Sequence, residues 1–374
     1  MTAPGSLADV LSSACSLLGV PETSDRLGLA GRLGDVRRVA VLLVDGLGYH
    51  LLPAAAQHGA TLADAVAGRT GDLTELACAF PSTTPTSLVT LGTGALPGEH
   101  GVLGFTVNVP GTERVLTHVM WQDDPPPREW QPVPTLLQRA AGAGVRTRVV
   151  SRPEFAGSGL STAAYGDTSY VGASRSDELA EQVLAELAAG PGLVYGYHPT
   201  LDTIAHQHGI ASPQWGRAAG SVDRLITRIV AGLPPDAALV VTADHGALDV
   251  PAASRLDIAD DPRLSAGLRV VAGEPRVRYL HTLDGATPDV IATWRAVLGD
   301  RAQVLGRDEA VAAGLFGAVP PAHLARIGDV VVVCAGDTVV LATGHEPELV
   351  GKLVAYHGSN TVVETAIPLL TFRG

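Results

Sequence analysis

The sequence predicts an α/β fold, a doubly wound and mostly parallel sheet with helices on both faces, plus a smaller inserted α+β subdomain. Three observations predict it. Several short runs are continuously aliphatic rather than alternating, as strands buried on both faces require. Helix-like segments separate those runs, so neighbouring strands are joined by crossovers. Acidic residues follow the runs at their carboxyl ends, where open α/β sheets gather their ligands.

In order, Leu7 to Leu18 reads as a helix that Gly19-Val20-Pro21 closes. Val36 to Val44 is a strand ending at Asp45-Gly46-Leu47-Gly48, and Leu51 to His58 reads as the helix behind it. The hydroxyl-rich stretch Phe80 to Ser87 precedes a short helix expected over Leu88 to Gly94. Pro97 to Gly101 is a turn, and the proline-rich excursion 102–134 reads as a surface loop or lid. Thr135 to Gly142 and Asp177 to Ala189 read as helices, and Val145 to Val150 and Gly192 to Tyr197 as strands. His198 to Gly209 holds Asp202 and His206, four apart and on one face of a helical turn. A surface helix is expected over Pro213 to Ile229, then a strand over Ala237 to Thr242 that delivers Asp244-His245-Gly246. In the stretch 251–340, Arg276 to Leu280 alternates like a strand, Pro288 to Leu298 reads as a helix and Asp329 to Cys334 as a strand. The chain returns through Gly351 to Asn360, with His357-Gly358 at a turn. The expected organisation is a core of 1–250 with 341–374, and an inserted subdomain over 251–340.

The whole chain narrows the partners. A formal charge of −12 over 374 residues argues against nucleic acid or an anionic membrane surface, while bound cations would still admit a phosphorylated small molecule. Cys15, Cys78 and Cys334 have neither metal nor redox spacing and fit a reducing compartment. Met1 to Gly5 shows no basic stretch leading into an apolar run, so the expectation is a cytoplasmic protein. Oligomeric state is left open.

Each chemical motif has a plain structural reading beside the functional one. Hydroxyls at a helix start cap it, or one of them becomes an alkoxide beside unpaired N–H groups. Asp45 caps the next helix or binds a ligand, and Asp202 with His206 is a solvated pair or two ligands of one cation. Asp244 and His245, adjacent on a tight turn, can both reach one metal, and Gly246 permits the bend. Three strand ends each presenting a carboxylate are hard to assign to capping.

In this order, Asp45-Gly46, the Pro-Ser-x-Thr run ending at Thr84, Asp202-x-x-x-His206, Asp244-His245-Gly246 and His357-Gly358 resemble the alkaline phosphatase superfamily. Within it they are most similar to the nucleotide pyrophosphatase/phosphodiesterase branch. The resemblance implies a phosphoesterase with two divalent metals, zinc with manganese or iron as alternatives. One metal would take Asp45, Asp244, His245 and the nucleophile Thr84, and the other Asp202, His206 and His357. It implies attack by the threonine alkoxide, then hydrolysis of a phosphothreonine. A register without gaps selects Thr84 over Thr83.

This chain departs from the branch in two places. Pro85-Thr86-Ser87 follows the nucleophile where Phe-Pro-Asn is usual, and Phe105 stands where the family has a phosphate-binding Asn. Phosphoryl contacts would then come from metals and backbone N–H groups. The competing functions are a phosphomonoesterase, a phosphate-transferring mutase, a sulfatase, whose Cys/Ser-x-Pro-x-Arg motif is missing, and a silent metal-binding protein. His50, His58, His100, His118, His281, His323 and His345 read as surface or capping groups, His198 and His208 as flanks of the metal helix, and Arg152, Arg276 and Arg278 as solvated.

Overall fold

A computed structural model describes residues 5–374; the first four, which include most of the stretch read for a leader, lie outside it. Seven strands build the main sheet: β1 (Arg38–Val44), β2 (Asp72–Ala77), β3 (Thr147–Ser151), β4 (Tyr170–Gly172), β5 (Gly192–His198), β6 (Ala237–Thr242) and β7 (Ala366–Arg373). Their order across the sheet is β2-β7-β6-β1-β5-β3-β4. Pairing is parallel from β6 to β4, and β7 runs antiparallel to both β6 and β2. Helices cover both faces, so the aliphatic runs of β1, β5 and β6 are buried almost throughout.

Register decides where the chain leaves the sheet. Leu43 lies opposite Tyr197 on one side and Thr242 on the other, so β1, β5 and β6 end at one edge. Because β7 runs the opposite way, its first residue Ala366, opposite Ala77 of β2, lies toward that edge too. The segments around Asp45, Thr84, Asp202, Asp244 and His357 therefore emerge together. Crossovers alone would have brought only three of the five.

A second sheet is antiparallel, in the order Leu268–Glu274, Val277–Thr282, Val330–Cys334, Ala302–Gly306. Its two faces alternate as the pleat demands. Leu280, Val330 and Val332 pack with Trp294 and Val290 of the helix Thr287–Leu298. Val277, Tyr279, Val331 and Val333 join the main core instead. The insertion is thus fused to the α/β layer through one sheet face.

Several expectations need correction. The excursion 102–134 is not a lid: Val102, Leu103, Trp121 and Trp130 are part of the main core, and residues 106–108 and 115–117 form a small hairpin. Residues 49–58 form one short α-helical turn, Leu52–Ala55, between two 3₁₀ turns. The helix expected from Leu88 begins at Thr84, since Pro85 falls in its first turn, where a missing N–H costs nothing. His100, His118, His281 and His323 are buried, as are Arg276 and Arg278. Among the described residues no helix is long and apolar enough to cross a membrane.

Candidate active site

The helix Thr84–Thr93 lies deep in the molecule. It crosses the helix Gly159–Tyr165 so closely that a Cβ on Gly92 would fall 1.9 Å from the Ala164 carbonyl oxygen. The Ser87 hydroxyl donates to the Asp244 carbonyl at 2.8 Å, which ties this helix to the loop after β6. Thr84 is its first residue, where backbone N–H groups have no helical partner. The Thr84 Oγ1 sits 3.2 Å from His245 Nε2, whereas Thr83 Oγ1 is buried without a hydrogen-bond partner. Of the two hydroxyls, it is Thr84 that faces the acidic and imidazole groups.

Those groups form two sets. Donor atoms of Asp45, Asp244 and His245 lie within 4.8 Å of one another, and so do those of Asp202, His206 and His357. His206 Nε2 is 3.1 Å from Asp202 Oδ2, and His357 Nε2 is 3.8 Å from Asp202 Oδ1. His245 Nε2 lies 3.5 Å from Asp45 Oδ1 and 3.4 Å from Asp244 Oδ2. The rings of His245 and His357 stack at 3.6 Å and join the two sets. All seven residues expected at the site are therefore brought together.

Backbone contacts aim the rings. His206 Nδ1 reaches the Ala355 carbonyl at 2.8 Å, His357 Nδ1 that of Ser82 at 2.9 Å, and His245 Nδ1 that of Gly246 at 3.0 Å. A carbonyl accepts only, so each Nδ1 carries a proton and each ring turns its Nε2 inward; in His245 and His357, which burial holds neutral, that Nε2 is bare. The Nε2 atoms of His206 and His357 face each other at 3.2 Å, and a cation shared between them would take the place of the proton that Asp202 otherwise holds on His206. The carboxylates repeat the pattern. Asp244 Oδ1 accepts from the N–H groups of Gly46 and His245, at 3.0 and 3.1 Å, and Asp45 Oδ2 accepts a short bond from the Tyr197 hydroxyl. Asp45 Oδ1, Asp202 Oδ1 and Asp244 Oδ2 are left buried and without hydrogen-bond partners. Orphaned carboxylate oxygens beside bare imidazole nitrogens are the donor set that Zn²⁺ or Mn²⁺ takes, so the residues fit the metals that the sequence implies.

The electrostatics agree with that fit. Burial, then the charges of Asp244 and Asp202, hold the Asp45 carboxyl well above the usual carboxylate range. Burial likewise raises Asp244. Burial pushes His245 down to about 4, and burial with the neighbouring His245 pushes His357 down to about 3. Asp202 and His206 behave as a pair: burial works against both charges, yet each stabilises the other, lowering Asp202 and raising His206 to about 9. Local geometry is equally tight. Gly46 has φ +73°, and a Cβ there would come within 2.9 Å of Asp202 Cβ, so the loop after β1 and the helix Thr200–His208 approach only across a glycine.

The remaining predicted residues take other roles. His198 caps the helix Thr200–His208, its Nδ1 accepting from the Thr200 N–H, and its Nε2 pairs with Ser176 Oγ. His208 is exposed at the far end of that helix. Arg276 makes a fully buried bidentate ion pair with Glu364, and Arg278 pairs with Glu346. One group near the site carried no sequence signal: Glu274, at the end of the strand Leu268–Glu274, beside Gly358.

The chain is similar in fold to several solved structures. Murine ectonucleotide pyrophosphatase/phosphodiesterase 5, as an inactive variant in complex with AMP, aligns with a TM-score of 0.70 at 16% identity, over 89% of this chain and 87% of that one. Phosphonoacetate hydrolase from Sinorhizobium meliloti 1021, in complex with phosphonoformate, aligns with a TM-score of 0.70 at 20% identity, over 90% of each chain. No curated protein matches. The sequence model of the type I phosphodiesterase/nucleotide pyrophosphatase family matches residues 39–360. With that match over most of its length, and with the alkaline-phosphatase type of sheet beneath it, the chain belongs to the type I phosphodiesterase/nucleotide pyrophosphatase family.

Proposed function

We propose that this protein is a metal-dependent phosphoesterase that cleaves a small phosphodiester or phosphoanhydride through a phosphothreonine on Thr84. The observation that carries the reading is the set of three orphaned carboxylate oxygens and three inward Nε2 atoms beside the Thr84 hydroxyl. Asp45, Asp244 and His245 would hold one divalent cation and Asp202, His206 and His357 a second, with Thr84 joining the first. Such cations lower the pKa of an attacking hydroxyl and neutralise charge on a leaving oxygen.

The protein's own part is orientation and proton traffic. Thr84 Oγ1 would lose its proton to solvent and attack phosphorus while the P–O bond to the leaving group breaks. The leaving oxygen takes a proton from water as it departs, and the helix N-terminus beneath Thr84 favours the negative charge that develops. The carbonyl contacts at Nδ1 prevent the three imidazoles from rotating as charge moves. Water then attacks the phosphothreonine and returns Thr84 to its starting state.

The test is a substrate panel of a phosphomonoester, a phosphodiester, a nucleotide anhydride and a phosphonate, with Zn²⁺ or Mn²⁺ added. The expected result is metal-dependent cleavage, best on the diester or anhydride. Thr84→Ala should keep its metal and lose turnover by about 10³-fold or more, while Thr83→Ala should remain active. Wild-type turnover in Thr84→Ala would move the nucleophile elsewhere.

A further inference from the structure

Tyr197 touches the first ligand set without belonging to it. It is the last residue but one of β5, and the register sets Leu43 of β1 opposite it. Residues facing each other across a parallel pair, and residues two apart along a strand, point to the same side of a sheet. Asp45 is two residues beyond Leu43, and its N–H donates to the His198 carbonyl at 3.0 Å, so the tyrosine ring and the Asp45 carboxyl meet on that side. Tyr197 is 8% exposed, and the Phe155 ring lies beside its own with centroids 6.1 Å apart. A carboxylate accepts only, so the Tyr197 hydroxyl is the donor in its short bond to Asp45 Oδ2.

That bond divides the carboxylate. Oδ2 is taken, and Oδ1, buried without a partner, is left facing His245 Nε2 at 3.5 Å. Asp244 is divided in the same way by the Gly46 and His245 N–H groups, which occupy Oδ1 and leave Oδ2 free. Asp202 is not: its Oδ1 has no partner, and its Oδ2 faces His206, a member of its own set.

We propose that Tyr197 is a positioning residue that holds Asp45 to binding through one oxygen, which keeps the first set at four donor atoms and favours a cation that takes four over one that takes six. The four are Asp45 Oδ1, Asp244 Oδ2, His245 Nε2 and Thr84 Oγ1. The inference rests on the metal sets of the proposed function. Four nitrogen and oxygen donors suit Zn²⁺, whereas Mn²⁺ collects six and gains from a carboxylate that offers both oxygens. With phenylalanine at 197 the Asp45 carboxylate is free to turn and offer both. The lost bond also lets a ligand lose its direction, and removing such an outer partner costs about 10–100-fold in metal affinity.

The experiment compares wild type, Tyr197→Phe and Phe155→Leu, each stripped of metal and reloaded with no substrate present. Zn²⁺ and Mn²⁺ affinities are measured by competition with a chromophoric chelator, and visible spectra are recorded with Co²⁺. Tyr197→Phe keeps the ring and loses one oxygen, and cooperative melting checks its fold. One of its two Zn²⁺ equivalents should bind about 10–100-fold more weakly, and the other should be unchanged. Mn²⁺ should lose less, which narrows the preference for Zn²⁺. Co²⁺ absorbs strongly with four ligands and weakly with six, so its visible bands should fade. Phe155→Leu loosens the packing on the same ring but spares the hydroxyl, and should hold both metals as wild type does.

Wild-type affinity for both equivalents in Tyr197→Phe, or an unchanged Co²⁺ spectrum, would overturn the assignment. An equal loss in Phe155→Leu would also overturn it, by placing the effect in packing, as would weakening of both equivalents together. If Tyr197→Phe weakens one metal while wild type cleaves no ester, the proposed function fails and the positioning role stands. If esters are cleaved and Tyr197→Phe holds both metals normally, only the positioning role fails. A wild type that takes up no metal refutes both.

Discussion

Removing the Arg276 side chain is the sharpest stability test of how the insertion is fixed to the core. Arg276 Nε and Nη2 donate to the two carboxylate oxygens of Glu364 at 3.0 and 2.6 Å, and Nη2 also donates to the Gly336 carbonyl at 2.9 Å. A short bond from Nη1 to the Thr338 carbonyl completes the set. Both side chains of the ion pair are 0% exposed, so Arg276→Ala leaves a buried carboxylate with only the Ser359 N–H and the Thr361 hydroxyl. Breaking a buried pair from one side costs about 3–5 kcal/mol, a factor of about 10²–10⁴ in the folding equilibrium. Urea unfolding followed by circular dichroism, read as a change in midpoint at constant slope, measures it. Replacing both partners by apolar side chains removes the stranded charge, so Arg276→Met with Glu364→Leu should recover most of the loss. A loss below about 1 kcal/mol in Arg276→Ala, or a double variant no better than the single one, would refute the reasoning.

Two further predictions concern the metal sets. His357→Ala removes one of three donors from the set with Asp202 and His206, so elemental analysis should show one of two metal equivalents lost; unchanged content would reject His357 as a ligand. Gly46→Ala forces a Cβ to within 2.9 Å of Asp202 Cβ at a φ of +73°, a backbone strain of about 1–2 kcal/mol before the clash. It should weaken metal retention in dialysis, and full retention with full turnover would show that the close approach is not required.

Much of the site was legible because its chemistry is written locally. Asp244-His245-Gly246 sits directly behind a continuous aliphatic run, and Asp202 with His206 has helical spacing. Three strand ends carrying carboxylates suffice to suggest a metal centre in an open sheet. Other readings failed where a residue's partner is remote. Arg276 looked solvated because its partner Glu364 lies 88 residues on, beyond the reach of any local signal. His118 looked like a surface group, but its ring is closed in by the Gly104 carbonyl and the Trp130 N–H. His323 and Arg326 are likewise fixed by the carbonyls of Gly98, Gly101 and Trp130, all of them contacts across 196 residues or more. Proline density in 102–134 suggested a lid, but Trp121 and Trp130 outweigh it, each burying a large apolar area.

Glu274 was illegible for a deeper reason. A lone glutamate before proline at a hairpin tip has the composition of any surface turn, and no periodicity marks it. What makes it exceptional is the fate of the hairpin: Tyr279 and Val277 bury one face in the main core, and Arg276 pins the tip to Glu364. Glu364 in turn accepts the N–H of Ser359, two residues beyond His357. The chain of contacts therefore runs from the inserted sheet through one buried ion pair to the turn that carries a proposed metal ligand. Glu274, two residues before Arg276, lies against Gly358 on that turn. Loosening that anchor should disturb the proposed metal set, even though Arg276 touches none of its residues, and Arg276→Met with Glu364→Leu, if it recovers stability, separates the two contributions: turnover that stays low in a fully stable protein would come from the lost positioning alone.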